Sequence, residues 1–292
     1  MNNNHQTQPF IQINDLYHIY LRGTPLEVTA LKGVTMQVFP GESIGIIGRT
    51  GAGKSTIVQH INGLIRPRQP GKVIIDGQDM SDPSVKVKAV RQKVGLVFQH
   101  PEQQLFERLV GDDIAFGPKK LGMPREERRE RVHWAMEMVG LDFERFKDRF
   151  TFSLSGGEMR KVAIAGVLAL QPKVLILDES TTGVDPRGRK ELLARILDLH
   201  CQHDMTLIFV SPNMEEVASM VDRIYVIDDG RSVLNGTTRE IFDNPEELRK
   251  YGLGVPQVAT VAHKLRQHGL RIDRTPLTVA EAEEDIWKIL NS

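Results

Sequence analysis

Cysteine is almost absent from this chain. Cys201 is the single one in 292 residues, which excludes an intrachain disulfide and a multi-cysteine metal site and fits a reducing compartment. An excess of one charge is lacking too. Lys plus Arg and Asp plus Glu both total 38, so no net field draws the chain to nucleic acid or to an anionic lipid surface. Long apolar runs are missing: Val162–Leu170, the longest, has nine residues, against the roughly 20 that a membrane-spanning helix requires. The segment Met1–Pro9 is polar and has no leader-like pattern, so any membrane role is expected to be peripheral. The nine histidines show no metal-ligand spacing and are expected to be structural, and Trp134 and Trp287 are expected in a core or an interface.

What is present is ordinary globular composition, 40% hydrophobic and 26% charged, in a chain long enough for a sizeable core. Residues 11–39 read as strands broken by the loop Arg22–Pro25. Ser43–Ile47, bounded by Gly41 and Gly48, reads as a buried strand, and Lys54–Leu64 as the helix after it. Asp76-Gly77 between apolar residues signals a hairpin. Strand patterns recur at Val94–Phe98, Val174–Leu177, Leu207–Val210 and Ile224–Ile227 with helical stretches between, which predicts a largely parallel sheet. From Pro101 to Phe152 the texture is helical and densely charged, an insertion; after Gly236 comes a charged, helix-rich tail.

The strongest local signal is Gly48-Arg49-Thr50-Gly51-Ala52-Gly53-Lys54-Ser55, a G-x-x-x-x-G-K-[ST] loop between a strand and a helix. Its glycines let successive backbone N–H groups turn toward one anion, and the helix adds its positive end. Lys54 supplies charge for the terminal phosphates and Ser55 a hydroxyl for Mg²⁺. A second signal is the apolar strand Val174–Leu177 running into Asp178-Glu179, which puts two carboxylates at the carboxyl edge of a sheet, where open α/β folds bind ligands. Asp178 suits the Mg²⁺ shell and Glu179 the attacking water. A third is Leu154-Ser155-Gly156-Gly157-Glu158. Ser155 and Glu158 have capping-box spacing, so a helix starts there, yet two glycines in a first turn are poor helix formers. They make sense if an anion must approach bare N–H groups.

In this order these motifs resemble the ATP-binding cassette family over about residues 11–237. The resemblance implies an α/β fold: a P-loop NTPase (RecA-like) core with an antiparallel β subdomain, an inserted α-helical subdomain at about 100–158, and a C-terminal helical extension, 238–292, that dimerises. It implies that Gly48, Arg49, Thr50, Gly51, Ala52, Gly53, Lys54, Ser55 and Thr56 bind nucleotide as the Walker A loop. Gln99 resembles the Q-loop glutamine, a Mg²⁺ and water contact. Leu154, Ser155, Gly156, Gly157 and Glu158 resemble the signature motif, which in that family binds the γ-phosphate held by the other subunit. Asp178 and Glu179 resemble the Walker B pair, and Gly183-Val184-Asp185 the D-loop. Tyr20 looks like the aromatic that stacks on adenine, with Tyr17 as the alternative. Catalysis would fall to Glu179, Gln99 and Lys54, with Mg²⁺ on Ser55, Gln99 and Asp178.

Within the family, Gln99–Phe106 and the helix Met159–Gly166 look like the energy-coupling factor transporters, and more like the second of their two paralogous ATPases. That implies uptake of vitamins or metal ions, a paralogous second ATPase as heterodimer partner, an integral transmembrane coupling subunit, a substrate-binding membrane subunit, and a peripheral place on the cytoplasmic face of the membrane. The Gln99–Phe106 segment is the expected docking surface. One departure stands out: the family expects histidine after Leu207–Val210, and this chain has Pro212, with no imidazole and no N–H. The alternatives are a subunit of another cassette importer, or a soluble cassette ATPase acting on DNA or ribosomes. The short interval from Lys54 to Asp178 leaves no room for a long coiled coil, there is one cassette, and net charge is zero, all against the DNA and ribosome readings.

Overall fold

The computed structural model describes residues 8–68, 70–181 and 184–290. Its strands are β1 (Ile11–Tyr20), β2 (Val28–Val38), β3 (Ser43–Ile47), β4 (Lys72–Ile75), β5 (Gln78–Asp79), β6 (Val94–Val97), β7 (Val174–Asp178), β8 (Thr206–Val210), β9 (Arg223–Asp228) and β10 (Arg231–Thr237). Its helices are α1 (Lys54–Ile61), α2 (Val87–Lys93), α3 (Val110–Lys120), α4 (Arg125–Met138), α5 (Phe143–Phe146), α6 (Gly156–Leu168), α7 (Pro186–His203), α8 (Met214–Met220), α9 (Thr238–Phe242), α10 (Pro245–Lys250), α11 (Gln257–Gln267) and α12 (Val279–Leu290). The chain divides into two compact units: residues 1–60, 65–82 and 209–292 form the first, residues 61–64 and 83–208 the second.

The first unit holds an antiparallel sheet in the order β2-β1-β4-β5. Ile11 pairs with Val38 on one side and with Ile75 on the other, so the buried faces of Ile11 and Ile13 coincide with those of Met36 and Val38. The hairpin signal is realised: Asp76 and Gly77 both take positive φ, 49° and 75°, between β4 and β5, as a two-residue turn with right-handed strand twist requires. β3 is buried at every position and pairs in parallel with β9, while β10 runs antiparallel to β9. An uninterrupted apolar run suits such a strand, covered on both faces. Gly45 is closely packed there: a Cβ would meet Val221 and Val217 at 3.1 and 3.2 Å, and those side chains would have to give way.

The helix-rich tail packs within this same unit. A capping box of Thr237 and Glu240 starts α9, and Phe242 and Leu248 are buried. Arg239 pairs with Glu281 of α12 at 3.0 Å, and Arg266 of α11 pairs with Asp243 at 2.7 Å. The N–H of Gln257 donates to Glu215 of α8 at 3.3 Å.

In the second unit β6 and β7 pair in parallel, Val94 opposite Val174 and Val97 opposite Leu177. Both are buried throughout, and each leads at its carboxyl end into a candidate site segment. Helices α3, α4 and α6 pack together, with Val110, Ile114, Ala135, Met136, Val162 and Ile164 in their core. The helical texture expected for 101–152 is present as α3, α4 and α5. Among the described residues, no helix is long and apolar enough to cross a membrane.

Candidate nucleotide site

In the first unit, β3 passes through the glycine-rich loop into α1. Gly51 and Gly53 sit at φ 82° and 105°, a region L side chains avoid. At Gly53 space matters as well, since a Cβ would lie 2.7 Å from the Ala30 carbonyl oxygen. The carbonyl of Arg49 is the hub of the loop: it accepts the Ala52 N–H at 3.1 Å and Lys54 Nζ at 3.0 Å. Lys54 Nζ also donates to the Gly48 carbonyl at 2.9 Å. The first turn of α1 carries no acid, so nothing there opposes an anion. Ser55 is exposed and Thr56 buried.

Tyr20 is the tyrosine beside this helix. Its hydroxyl lies 3.1 Å from Thr56 Oγ1 and its ring is 38% exposed. The Tyr17 hydroxyl is directed instead toward Gly33 of β2. His18 lies edge-on to Tyr20, and its Nδ1 is 3.2 Å from Nε2 of His60 at the end of α1. Burial, together with the His18 ring, brings the His60 imidazole down to about 4. Pro212 is exposed, between buried Ser211 and Asn213. Asn213 caps α8, its side-chain oxygen accepting the N–H groups of Glu215 and Glu216 at 3.0 and 3.3 Å.

In the second unit, Asp178 ends β7 and is 3% exposed. Glu179 follows in the left-handed region at φ 49°, costly for a non-glycine residue. Gln99, just beyond β6, donates from Nε2 to Glu179 Oε2 at 3.1 Å. Sequence alone suggested both residues but not their contact, which follows from the parallel pairing of the two strands that lead to them. Asp185 accepts the Gly188 N–H at 2.9 Å and caps α7, whereas Gly183 lies outside the described residues.

The expected helix start at Ser155 is realised as a full capping box. The Ser155 N–H and Oγ donate to Glu158 Oε2 at 2.8 and 2.9 Å, and Ser155 Oγ accepts the Glu158 N–H. A Cβ on Gly156 would meet nothing within 4 Å, and one on Gly157 only Val184 at 4.0 Å. Packing among the described residues therefore does not explain the two glycines. Leu154 is buried and anchors the turn. Arg149, which the motif reading passed over, reaches Glu158 Oε1 at 3.2 Å with its guanidinium over the Phe146 ring. Burial works to raise the Glu158 carboxyl, but the Ser155 N–H and hydroxyl and Arg149 outweigh it and hold it below its usual value.

The Gln99–Phe106 segment is braced at several points. Glu102 lies 3.5 Å from Arg160 of α6, and Asp113 accepts the N–H groups of Phe106 and Glu107 at 2.9 and 2.8 Å. The Phe106 ring remains 55% exposed. Within the second unit, the Gln99 amide and the Asp178 carboxylate offer oxygen, the donor type that suits a hard cation such as Mg²⁺. Among the described residues, no group of three or more His, Cys, Asp and Glu side chains could hold a metal ion.

A family model described as ABC transporter matches residues 31–182, from within β2 to just past the carboxylate edge. The chain is 48% identical over 97% of its length to an energy-coupling factor transporter ATP-binding protein, EcfA2, of Clostridium perfringens strain 13, covering 99% of that protein. A solved structure of cbiO1 from Clostridium perfringens, described as part of the ABC transporter complex cbiONQ, is similar at TM-score 0.73 and 35% identity, covering 89% of this chain and 99% of that one. The ATP-binding cassette MJ0796, solved as a dimer bound to ADP and Pi, is similar at TM-score 0.72 and 27% identity, covering 78% of this chain and 99% of that one.

This chain belongs to the ABC transporter ATPases and, within them, to the ATP-binding proteins of energy-coupling factor transporters, as the second of the two ATPase paralogues. Its activity is ATP hydrolysis coupled to transport.

Proposed function

We propose that this chain works as one half of a two-subunit nucleotide sandwich, in which its phosphate loop holds one ATP and its Ser155–Gly157 turn closes over the ATP held by a second, paralogous ATPase. The observation that carries the reading is the open space over Gly156 and Gly157 at a helix start capped by Ser155. Lys54 neutralises the terminal phosphates, Tyr20 stacks on the base, and Thr56 and Ser55 line the first turn of α1. Mg²⁺ would supply charge neutralisation on the phosphates, and Ser55, Asp178 and Gln99 would be the residues to hold it. Glu179 polarises the attacking water, and the hydrogen bond from Gln99 orients that carboxylate. Asp185 reaches toward the second ATPase.

Closure and reopening of the sandwich drive an integral transmembrane subunit through the Gln99–Phe106 segment, on the cytoplasmic face of the membrane. A separate membrane subunit selects the cargo, a vitamin or a metal ion. The exposed Phe106 ring, on backbone held by Asp113, suits such docking. The tail 238–292 contributes to pairing with the second ATPase. Purification from native membranes in mild detergent tests the reading, using Glu179→Gln protein with ATP. A second ATPase and membrane subunits are expected to co-purify; a strictly monomeric chain overturns it.

The Pro212 position makes the site built on this chain's own phosphate loop the slower one. The neighbouring Asn213 is no substitute for an imidazole, since its amide oxygen caps α8 and its amide nitrogen donates to Glu216 at 3.3 Å. Losing one preorganised donor costs about 10²–10³ in rate. Pro212→His is therefore expected to raise turnover at this site, measured with the second ATPase silenced; no gain sinks the slow-site idea.

A further inference from the structure

The reading above leaves an electrostatic problem. Glu158 is an acid at the very turn that must receive a multiply charged phosphate. Its Oε2 lies 2.8 and 2.9 Å from the Ser155 N–H and hydroxyl. The same two donors face any anion arriving at the helix start, so a bare carboxylate would repel that anion and compete for the Ser155 proton. The second carboxylate oxygen is where the structure answers this. Arg149 NH1 lies 3.2 Å from Glu158 Oε1.

Arg149 is itself held in place. Its guanidinium lies 4.9 Å from the Phe146 ring centroid, and its carbonyl accepts the Val110 N–H at 3.1 Å, which ties the residue to the start of α3. Its side chain is 34% exposed and that of Glu158 29%, so the pair is neither fully solvated nor sealed. Within the described residues, Glu158 has no other ion-pair partner.

We propose that Arg149 is a positioning residue of the trans phosphate site: it neutralises Glu158 so that the Ser155 turn accepts the γ-phosphate of the neighbouring ATPase. The inference rests on the reading that Ser155 completes that site. Arg149 does not touch the nucleotide. It acts by offsetting Glu158's charge, so that the Ser155 turn repels the arriving anion less. A glutamine at position 158 would keep the capping box, because its amide oxygen still accepts the Ser155 N–H, and it would remove the need for the arginine.

The test uses the assembled transporter complex with this chain carrying Glu179→Gln, so that remaining turnover reports the site completed by Ser155. Arg149→Met is expected to lower turnover at saturating ATP about tenfold, the effect of one uncompensated charge a few ångströms from phosphate in a partly screened site. Arg149→Lys is expected to retain most of it. Made in a Glu158→Gln background, the same Arg149→Met change is expected to cost less than about twofold relative to Glu158→Gln alone. Binding of a fluorescent ATP analogue and thermal unfolding are expected to differ little between Arg149→Met and the parent. An arginine needed only for folding would cost as much in the Glu158→Gln background as in the parent, and that result, or full activity of Arg149→Met, overturns the proposal. Ser155→Arg separates the layers. If it abolishes turnover while Arg149→Met does not, Arg149 is refuted alone; if it leaves turnover intact, the trans-site reading falls and the role of Arg149 with it.

Discussion

Two glycine-rich helix starts in this chain are built on opposite plans. The start of α1 has no acid in its first turn, and Lys54 folds back on the carbonyls of Gly48 and Arg49. Its glycines are demanded from inside: Gly53 sits at φ 105° against the Ala30 carbonyl. The start of α6 has an acid at its third position and a serine cap, and its glycines face empty space. The first is a seat complete in itself, with backbone geometry and charge supplied by one loop. The second has geometry without net charge and depends on Arg149 and on something outside the chain. A helix N-terminus is thus not one device: what surrounds its first turn decides whether it can hold an anion alone.

The comparison breaks most decisively at Lys54. Lys54→Ala is expected to weaken ATP binding by more than about 100-fold, because it removes a charge-assisted contact to phosphate and the other cation of the loop, Arg49, has its guanidinium against Gly252; titration with a fluorescent ATP analogue checks it. Unchanged affinity would mean that the self-sufficient seat is not where nucleotide binds.

A smaller effect separates the two starts by pH. His60, at the end of α1, is buried and neutral, with its imidazole at about 4 in the folded chain. Below the ordinary value of about 6.5, unfolded chains take up a proton that the folded chain resists, so stability present above that pH drains away as pH falls toward 4. Between pH 7.5 and 5 the loss from this group is about 2 kcal/mol. Denaturant unfolding at the two pH values checks this, with His60→Leu expected to flatten the slope.

The smallest effect is the sharpest. Gly156→Ala meets no atom within 4 Å and replaces a poor helix former, so it is expected to raise stability by about 0.5–1 kcal/mol while lowering turnover at the trans site. A variant that is steadier yet slower would show that these glycines serve an approaching molecule. A variant that is steadier and equally fast would show that they serve nothing beyond the cap.

Much of this was legible in the residues. The phosphate loop, the carboxylate edge, the capping box at Ser155 and the Asp76-Gly77 hairpin are local, and each carries its cause in adjacent positions. Strand β3 appears within the bounds its apolar run predicts. What could not be read is non-local. Gln99 meets Glu179 across 80 positions because β6 and β7 pair in parallel. Arg149 stands within reach of the motif, but an arginine in a charged helical stretch has no distinguishing pattern; only the signature Glu158 could have hinted that a cation was needed nearby. The tail showed helical composition without an address, and its address is set by ion pairs such as Arg239 with Glu281. The edge strand β10, half-exposed along its length, lacks the apolar run that betrays β3 and β9.

The left-handed backbone of Glu179 has a consequence for how this chain can change over generations. Glycine at that position would relax the chain by about 1 kcal/mol or more, so selection for sturdiness alone pulls toward losing the carboxylate. On the function proposed above, the carboxylate stands there for its chemistry rather than for the fold, and descendants released from that work would be expected to lose it early.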